Sequence, residues 1–339
     1  MASVRSRYQR AVPYILAVYL VVVVLAFLYF NLRLQPEDVA AVLFIAAILS
    51  GRALLFIRDW GVFIAVLLAW QATSFLATNF GFPWHLAAPI AADKLMFGGT
   101  VPAVWLQAHL YHPGVIEPWD VFAVVMYMLH FVAPLLAGFL LWMTNRKLFH
   151  RYAVAFVLVA LGGFITYILY PAVPPWMAAE PLIHAHGIYW QSPHGHVYLH
   201  GVQNLFNVVM SHWYNPYNNS INGSIHLGII HMHYDKVAAI PSEHAMYPTL
   251  FFLFLRRQFG RWAYIALAYL GGLIFSILYL GQHYMVDAVI GILYAVTGYL
   301  VVMHLAPAVH RWWMGRISRR AVAVEPEPNT LVASSLEEA

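Results

Sequence analysis

Cysteine is absent from the 339 residues, which excludes a disulfide framework, a thiolate metal site and a cysteine nucleophile. Charge is scarce too. Only 9% of the residues are Asp, Glu, Lys or Arg, where a soluble domain carries about 25%. Separate soluble domains and a nucleic-acid partner are therefore not expected. A cleaved signal peptide is also not expected. The apolar run Val12 to Phe30 is too long for one, and Asn31-Leu32-Arg33 follows it where a small-residue cleavage site would stand. What the chain has instead is apolar surface. Hydrophobic residues make up 62%, and several runs approach the roughly 20 residues that span a bilayer. The expected fold class is all-α, a polytopic transmembrane helical bundle in which the bilayer itself is a partner.

Eight spans are expected. After 12–30 they are 39–57, 60–77, 121–143, 152–170, 243–255, 262–280 and 287–305. Arg52 and Arg58 leave the second and third open to a six-span reading, in which that hairpin is half inserted. Residues 79–119 mix Trp84, Trp105 and Trp119 with Pro, Gly and His, which suits an interfacial segment. Residues 172–240 form a long loop rich in His, Asn, Pro and Trp. Basic residues collect at the amino terminus, at 146–151, at 256–261 and at 311–320. Cytoplasmic loops collect Lys and Arg, so both termini are expected inside. The organisation expected is N-terminal helices over 1–80 and a catalytic membrane domain over 81–305 carrying extracytoplasmic loop 171–240. A basic cytoplasmic segment and disordered tail over 306–339 would complete it. Nothing in the sequence fixes the oligomeric state.

That topology gathers the chemistry at one face. His244 opens one span, and His283 and Asp287 stand where another begins. Ionisable groups at such positions are costly and point to function. His283 and Asp287 are four apart and share a helical face. A carboxylate that takes the proton side of one ring nitrogen leaves the other nitrogen's lone pair outward. That nitrogen can attack phosphorus, and a second histidine near neutral pKa can protonate the leaving oxygen. Ser242 is placed to cap the helix of His244, whose free amides would cradle phosphate oxygens. No metal and no cofactor is required. A proton-relay transporter would be expected to show repeats and mid-membrane polar groups, and neither is visible.

Pro241, Ser242 and His244, with His283 and Asp287, resemble the second and third motifs of the type 2 phosphatidic acid phosphatase (PAP2) superfamily. The resemblance implies that His283 is the nucleophile, Asp287 orients it and His244 protonates the leaving group. Two departures stand out. The third motif usually begins Ser-Arg, but here Ser276 is followed by Ile277. The Lys and Arg-Pro of the first motif have no match. The segments Tyr170 to Trp176, Asp93 to Gly99 and Tyr279 to Asp287 look like the inositol phosphorylceramide synthase (Aur1-like) branch. That branch implies transfer of a phospho-headgroup such as phosphoinositol to a lipid hydroxyl, with a phospholipid substrate and a second lipid as acceptor. The alternative is a phosphatase acting on phosphatidate-like or polyprenyl phosphate lipids.

With the arginines missing, Lys94 or Lys236 is expected to stand in at the phosphate. Tyr279, Pro175 and Trp176 are expected to line the substrate site. Nine of the eighteen histidines lie between 184 and 233, with no Asp or Glu between Glu180 and Asp235. Recognition of a polar headgroup, with Trp190, Trp213, Tyr214 and Tyr217 as ring faces, suits this loop better than metal binding.

Overall fold

The computed structural model describes residues 36–73, 82–130, 132–179, 182–185, 188–191, 199–213 and 238–308. The expected first span, the histidine-rich stretch 214–237 with Lys236, and the tail after 308 lie outside them. The chain divides into two compact units, Met1–Tyr299 and Leu300–Ala339. The second begins with a π-helical turn, Val301–Leu305.

The first unit opens with α1 (Pro36–Leu49) and α2 (Ala53–Thr73). The break falls at Ser50–Arg52, not near Arg58 as the charges suggested. The interfacial segment holds two short helices, α3 (Ala87–Met96) and α4 (Pro102–Leu110). Next come α5 (Pro118–Leu129) and α6 (Ala133–Thr144), read from sequence as one continuous span. They are bent by 51°. Pro134 at the start of α6 restricts the residue before it and lacks an amide to continue the ladder, which accounts for the break. Then α7 (Arg146–Leu169) runs unbroken.

The long loop carries secondary structure among its described residues. It holds α8 (Pro175–Ala178), an antiparallel hairpin of β1 (Leu182–Ala185) and β2 (Ile188–Gln191), and α9 (Leu205–Trp213). The all-α expectation is corrected to mostly helical, with this hairpin. The last helices are α10 (Glu243–Phe259), α11 (Tyr264–Tyr279) and α12 (Met285–Leu300).

Among the described residues three stretches are long and apolar enough to cross a membrane: 146–169, 243–279 and 285–308. The bent pair α5 and α6 makes a fourth if it acts as one span. The stretch 243–279 does not run straight. The rings of Phe251 and Tyr269 lie 6.1 Å apart and those of Phe252 and Tyr264 6.2 Å. In one straight helix the first pair would be about 27 Å apart. So α10 and α11 are antiparallel legs, turned at Gly260.

Side-chain packing defines the two ends of the bundle. At one end Asp59 of α2 accepts from Trp142 Nε1 at 2.9 Å and pairs with Arg146, joining α2 to α6 and α7. Asn145 Nδ2 donates to Gln258 Oε1 at 2.9 Å, so the turn before α7 meets the end of α10. This end carries Arg146, Lys147, Arg151, Arg256 and Arg257. The other end, about 36 Å away along the 24 residues of α7, carries the candidate site.

In α12 the buried residues Ala288, Gly291, Ala295 and Gly298 are all small. Lipid supplies no hydrophobic drive between helices, so close backbone approach and dispersion hold them together. A Cβ on Gly291 would collide with the carbonyl oxygen of Ser242 and lie 3.3 Å from Met246 N. Glycine there lets α12 press its backbone onto the first turn of α10, which brings His283 and Asp287 beside His244.

Candidate active site

Two short backbone bridges frame the site end. His85 and Ala238 each pair in parallel with Ala172. Ala239 N donates to Ala172 O at 3.2 Å. The turn between α11 and α12 is clamped from outside. Gln107 of α4 donates to Tyr279 O at 2.8 Å and Gln203 O at 2.9 Å, and accepts from Gln203 N at 2.8 Å. Gln282 donates to Asn204 Oδ1 at 3.0 Å, and Trp176 N donates to Gly281 O at 3.1 Å. Gly281 has φ +73°, and a Cβ there would lie 2.8 Å from Gln203 O. Only glycine takes that turn under that strand of loop.

His283 follows directly. Its Nδ1 faces two oxygens, Ala239 O at 3.0 Å and Asp287 Oδ2 at 3.3 Å. Both accept, so Nδ1 carries the proton and the lone pair sits on Nε2. That Nε2 lies 3.2 Å from Nδ1 of His244, the second residue of α10. Asp287 Oδ2 also accepts from Tyr284 N at 2.8 Å, while its backbone oxygen accepts from Ser242 N at 3.0 Å. The motifs that the sequence separates by 39 residues thus meet atom to atom.

The His244 ring is stacked on Tyr127 at 4.5 Å and packed against His130 at 4.1 Å, with His130 in turn stacked on Tyr247. His130 sits at the bend between α5 and α6, which turns it onto His244. The expected span 121–143 includes it, and it was not singled out in the sequence. The following Pro134 was the signal that the span breaks there.

Other expected site residues fall differently. Ser242 is at the N-cap of α10, but its side chain makes no cap hydrogen bond. Its Oγ is buried without a partner among the described residues, as are His244 Nε2 and Asp287 Oδ1. Those atoms remain available to a substrate, since buried polar groups are ordinarily paired. Lys94 is exposed in the last turn of α3, with no ion pair among the described residues. The neighbouring Asp93 is the one that reaches the site, accepting from Met285 N and Val286 N at 3.0 Å each. Burial pushes the Asp93 carboxyl above its ordinary range, and the two amide bonds oppose that shift.

Tyr279 is fully buried, and its hydroxyl donates to Asp120, so that hydroxyl is committed to the protein. Pro175 is buried at the start of α8. Trp176 packs against the cluster containing Tyr284, with its indole nitrogen unpartnered. Ile277, in the place of the family's arginine, is fully buried in the apolar core, where a guanidinium would be desolvated. Glu243 bonds Tyr247 one turn along α10 and reaches Gly163 of α7.

The sequence profile of the PAP2 superfamily matches residues 99–301. The chain belongs to the PAP2 superfamily. A relative from Bacteroides thetaiotaomicron, phosphoinositol dihydroceramide synthase, is 28% identical over 228 residues, covering 64% of this chain and 67% of the relative. Its name agrees with the Aur1-like resemblance of the motifs. No solved structure matches the chain. As a PAP2 protein with apolar membrane-length helices, this chain is an integral-membrane lipid phosphotransferase or phosphatase.

Proposed function

We propose that the protein transfers a phospho-headgroup, phosphoinositol, from a glycerophospholipid to a lipid hydroxyl through a phosphohistidine at His283. The observation that carries this reading is the pair of contacts on His283. Nδ1 is held by Ala239 O and Asp287, and Nε2 is aimed at His244.

In the first step the Nε2 lone pair forms a bond to phosphorus. The bond from phosphorus to the diacylglycerol oxygen breaks, and that oxygen takes a proton from His244. In the second step His244 removes the proton of the acceptor hydroxyl, whose oxygen displaces His283 from phosphorus. Nε2 regains its lone pair and the imidazolium charge is lost. A phosphoryl group does not fit between nitrogens 3.2 Å apart, so the two rings part when substrate enters. Asp287 stabilises the cationic ring in between. The first amides of α10 and the Ser242 hydroxyl supply hydrogen bonds to the equatorial oxygens. No residue in this scheme needs a metal.

The donor and acceptor follow from the motif resemblance and from the named activity of the Bacteroides relative, which supports dihydroceramide as the acceptor. Lys236, Trp176 and the histidine-rich loop are proposed to meet the headgroup. Charge placement supports eight spans, with both termini cytoplasmic and the site on the extracytoplasmic face.

Purified protein in EDTA, given phosphatidylinositol and dihydroceramide, tests the reading. A new phosphoinositol lipid by mass spectrometry without free phosphate, absent in His283→Ala, is the expected result. Free phosphate released from phosphatidate or polyprenyl pyrophosphate would assign the hydrolase instead.

A further inference from the structure

Every helix leaves its first amides without intrahelical partners, and these favour negative charge. Two carboxylates take them at the start of α12. Asp287 accepts from Tyr284 N at 2.8 Å, and Asp93 accepts from Met285 N and Val286 N at 3.0 Å each. Asp93 comes from α3, 192 residues earlier in the chain, and is fully buried. The three amides it shares with Asp287 directly follow His283. They set where the backbone turns into α12, and so where the imidazole and the carboxylate four residues on face one another.

We propose that Asp93 is a positioning residue for phosphoryl transfer: by holding the Met285 and Val286 amides it aims the His283–Asp287 pair at the reacting phosphorus. This rests on His283 being the nucleophile. Two further observations carry it. Val286 and Tyr284 pack in one apolar cluster with Leu86 and Ile90, so α3 is seated on this turn along its side as well as through Asp93. Second, Asp93 spends its carboxylate on backbone groups, although the adjacent Lys94 is exposed and has no ion pair among the described residues. A surface ion pair is not what the aspartate serves.

There is also a consequence for the substrate. The amides of α12 are occupied by protein carboxylates, which leaves the N-terminus of α10 as the anion-facing helix end. One helix start holds the nucleophile still while the other meets the phosphate.

Asp93→Asn keeps the shape and one accepting oxygen. Asp93→Ala removes both. Turnover of the full-length protein in detergent or liposomes is measured beside thermal melting and a His283→Ala control. For Asp93→Asn the expected result is a fall in kcat of about tenfold, with KM within about twofold and an unchanged melting temperature. Asp93→Ala is expected to fall about 100-fold, the scale of a small misplacement of reacting groups. If the alanine variant does not fold, the asparagine variant decides alone. Wild-type kcat in Asp93→Asn, or a loss that only tracks the unfolded fraction, overturns the proposal while His283→Ala stays inactive. Activity surviving in His283→Ala would instead overturn the phosphohistidine reading on which it rests.

Discussion

His283 is gripped at one nitrogen and offered at the other, and each neighbour contributes separately. His283→Ala is expected to abolish product. His244→Ala removes the proposed proton donor and should cost about 100- to 10,000-fold in turnover. Asp287→Asn should be milder, about 100-fold, because the carbonyl of Ala239 still fixes the ring's tautomer. Radiolabelled lipid and single-turnover assays with the three variants check the ranking. A larger loss in Asp287→Asn than in His244→Ala would show that charge on the carboxylate matters more than proton transfer.

These three residues were legible in the sequence because the signal is local. A spacing of four puts His283 and Asp287 on one helical face, and Pro241 to His244 marks a helix start. The segment starting at Asp93 was singled out by resemblance, but neither the contacts of Asp93 nor the place of His130 was legible. Asp93 binds backbone amides, which leave no pattern in the partner's side chains. His130 depends on a bend whose only trace is Pro134. Lys94 is the reverse case. Its charge suggested a phosphate partner, but helical geometry turns it to solvent and its neighbour inward.

At the scale of elements, α12 is the part least tolerant of change. Gly291 meets backbone atoms of α10, which cannot rotate away as a side chain can. Gly291→Ala is therefore expected to destabilise by about 1–3 kcal/mol and to lose activity with it. Gly271, on the exposed side of α11, meets nothing within 4 Å. Gly271→Ala should be neutral or stabilising by about 0.5–1 kcal/mol. Thermal melts of the two variants in the same detergent check this pair, and equal shifts would refute the packing argument. Helix existence was readable from apolar runs, and Gly51 and Arg52 marked an interruption of the second, whereas the α5–α6 bend was not readable, since hydropathy is blind to backbone direction.

For the whole molecule the basic end and the site end are separated by the length of α7, and the sidedness of the membrane is the testable quantity. The absence of cysteine makes single-cysteine variants clean reporters. Thr100→Cys, exposed near the site end, should react with a membrane-impermeant maleimide on intact cells. Arg257→Cys at the basic end should react only after lysis. The reverse pattern would invert the topology. Chelation is a second test at this scale: turnover in excess EDTA should equal turnover without it, and a loss restored by one divalent ion would require a metal step.

The hairpin of α10 and α11 has one more consequence, for biosynthesis. His244 leaves the ribosome well before His283 and Asp287, and the contact that secures the first turn of α10 is made with Asp287. During insertion the nascent protein carries the proposed proton donor without the proposed nucleophile. On the proposed mechanism, catalytic competence arrives only when α12 packs against α10, so a chain stalled earlier is inert towards the lipids around it.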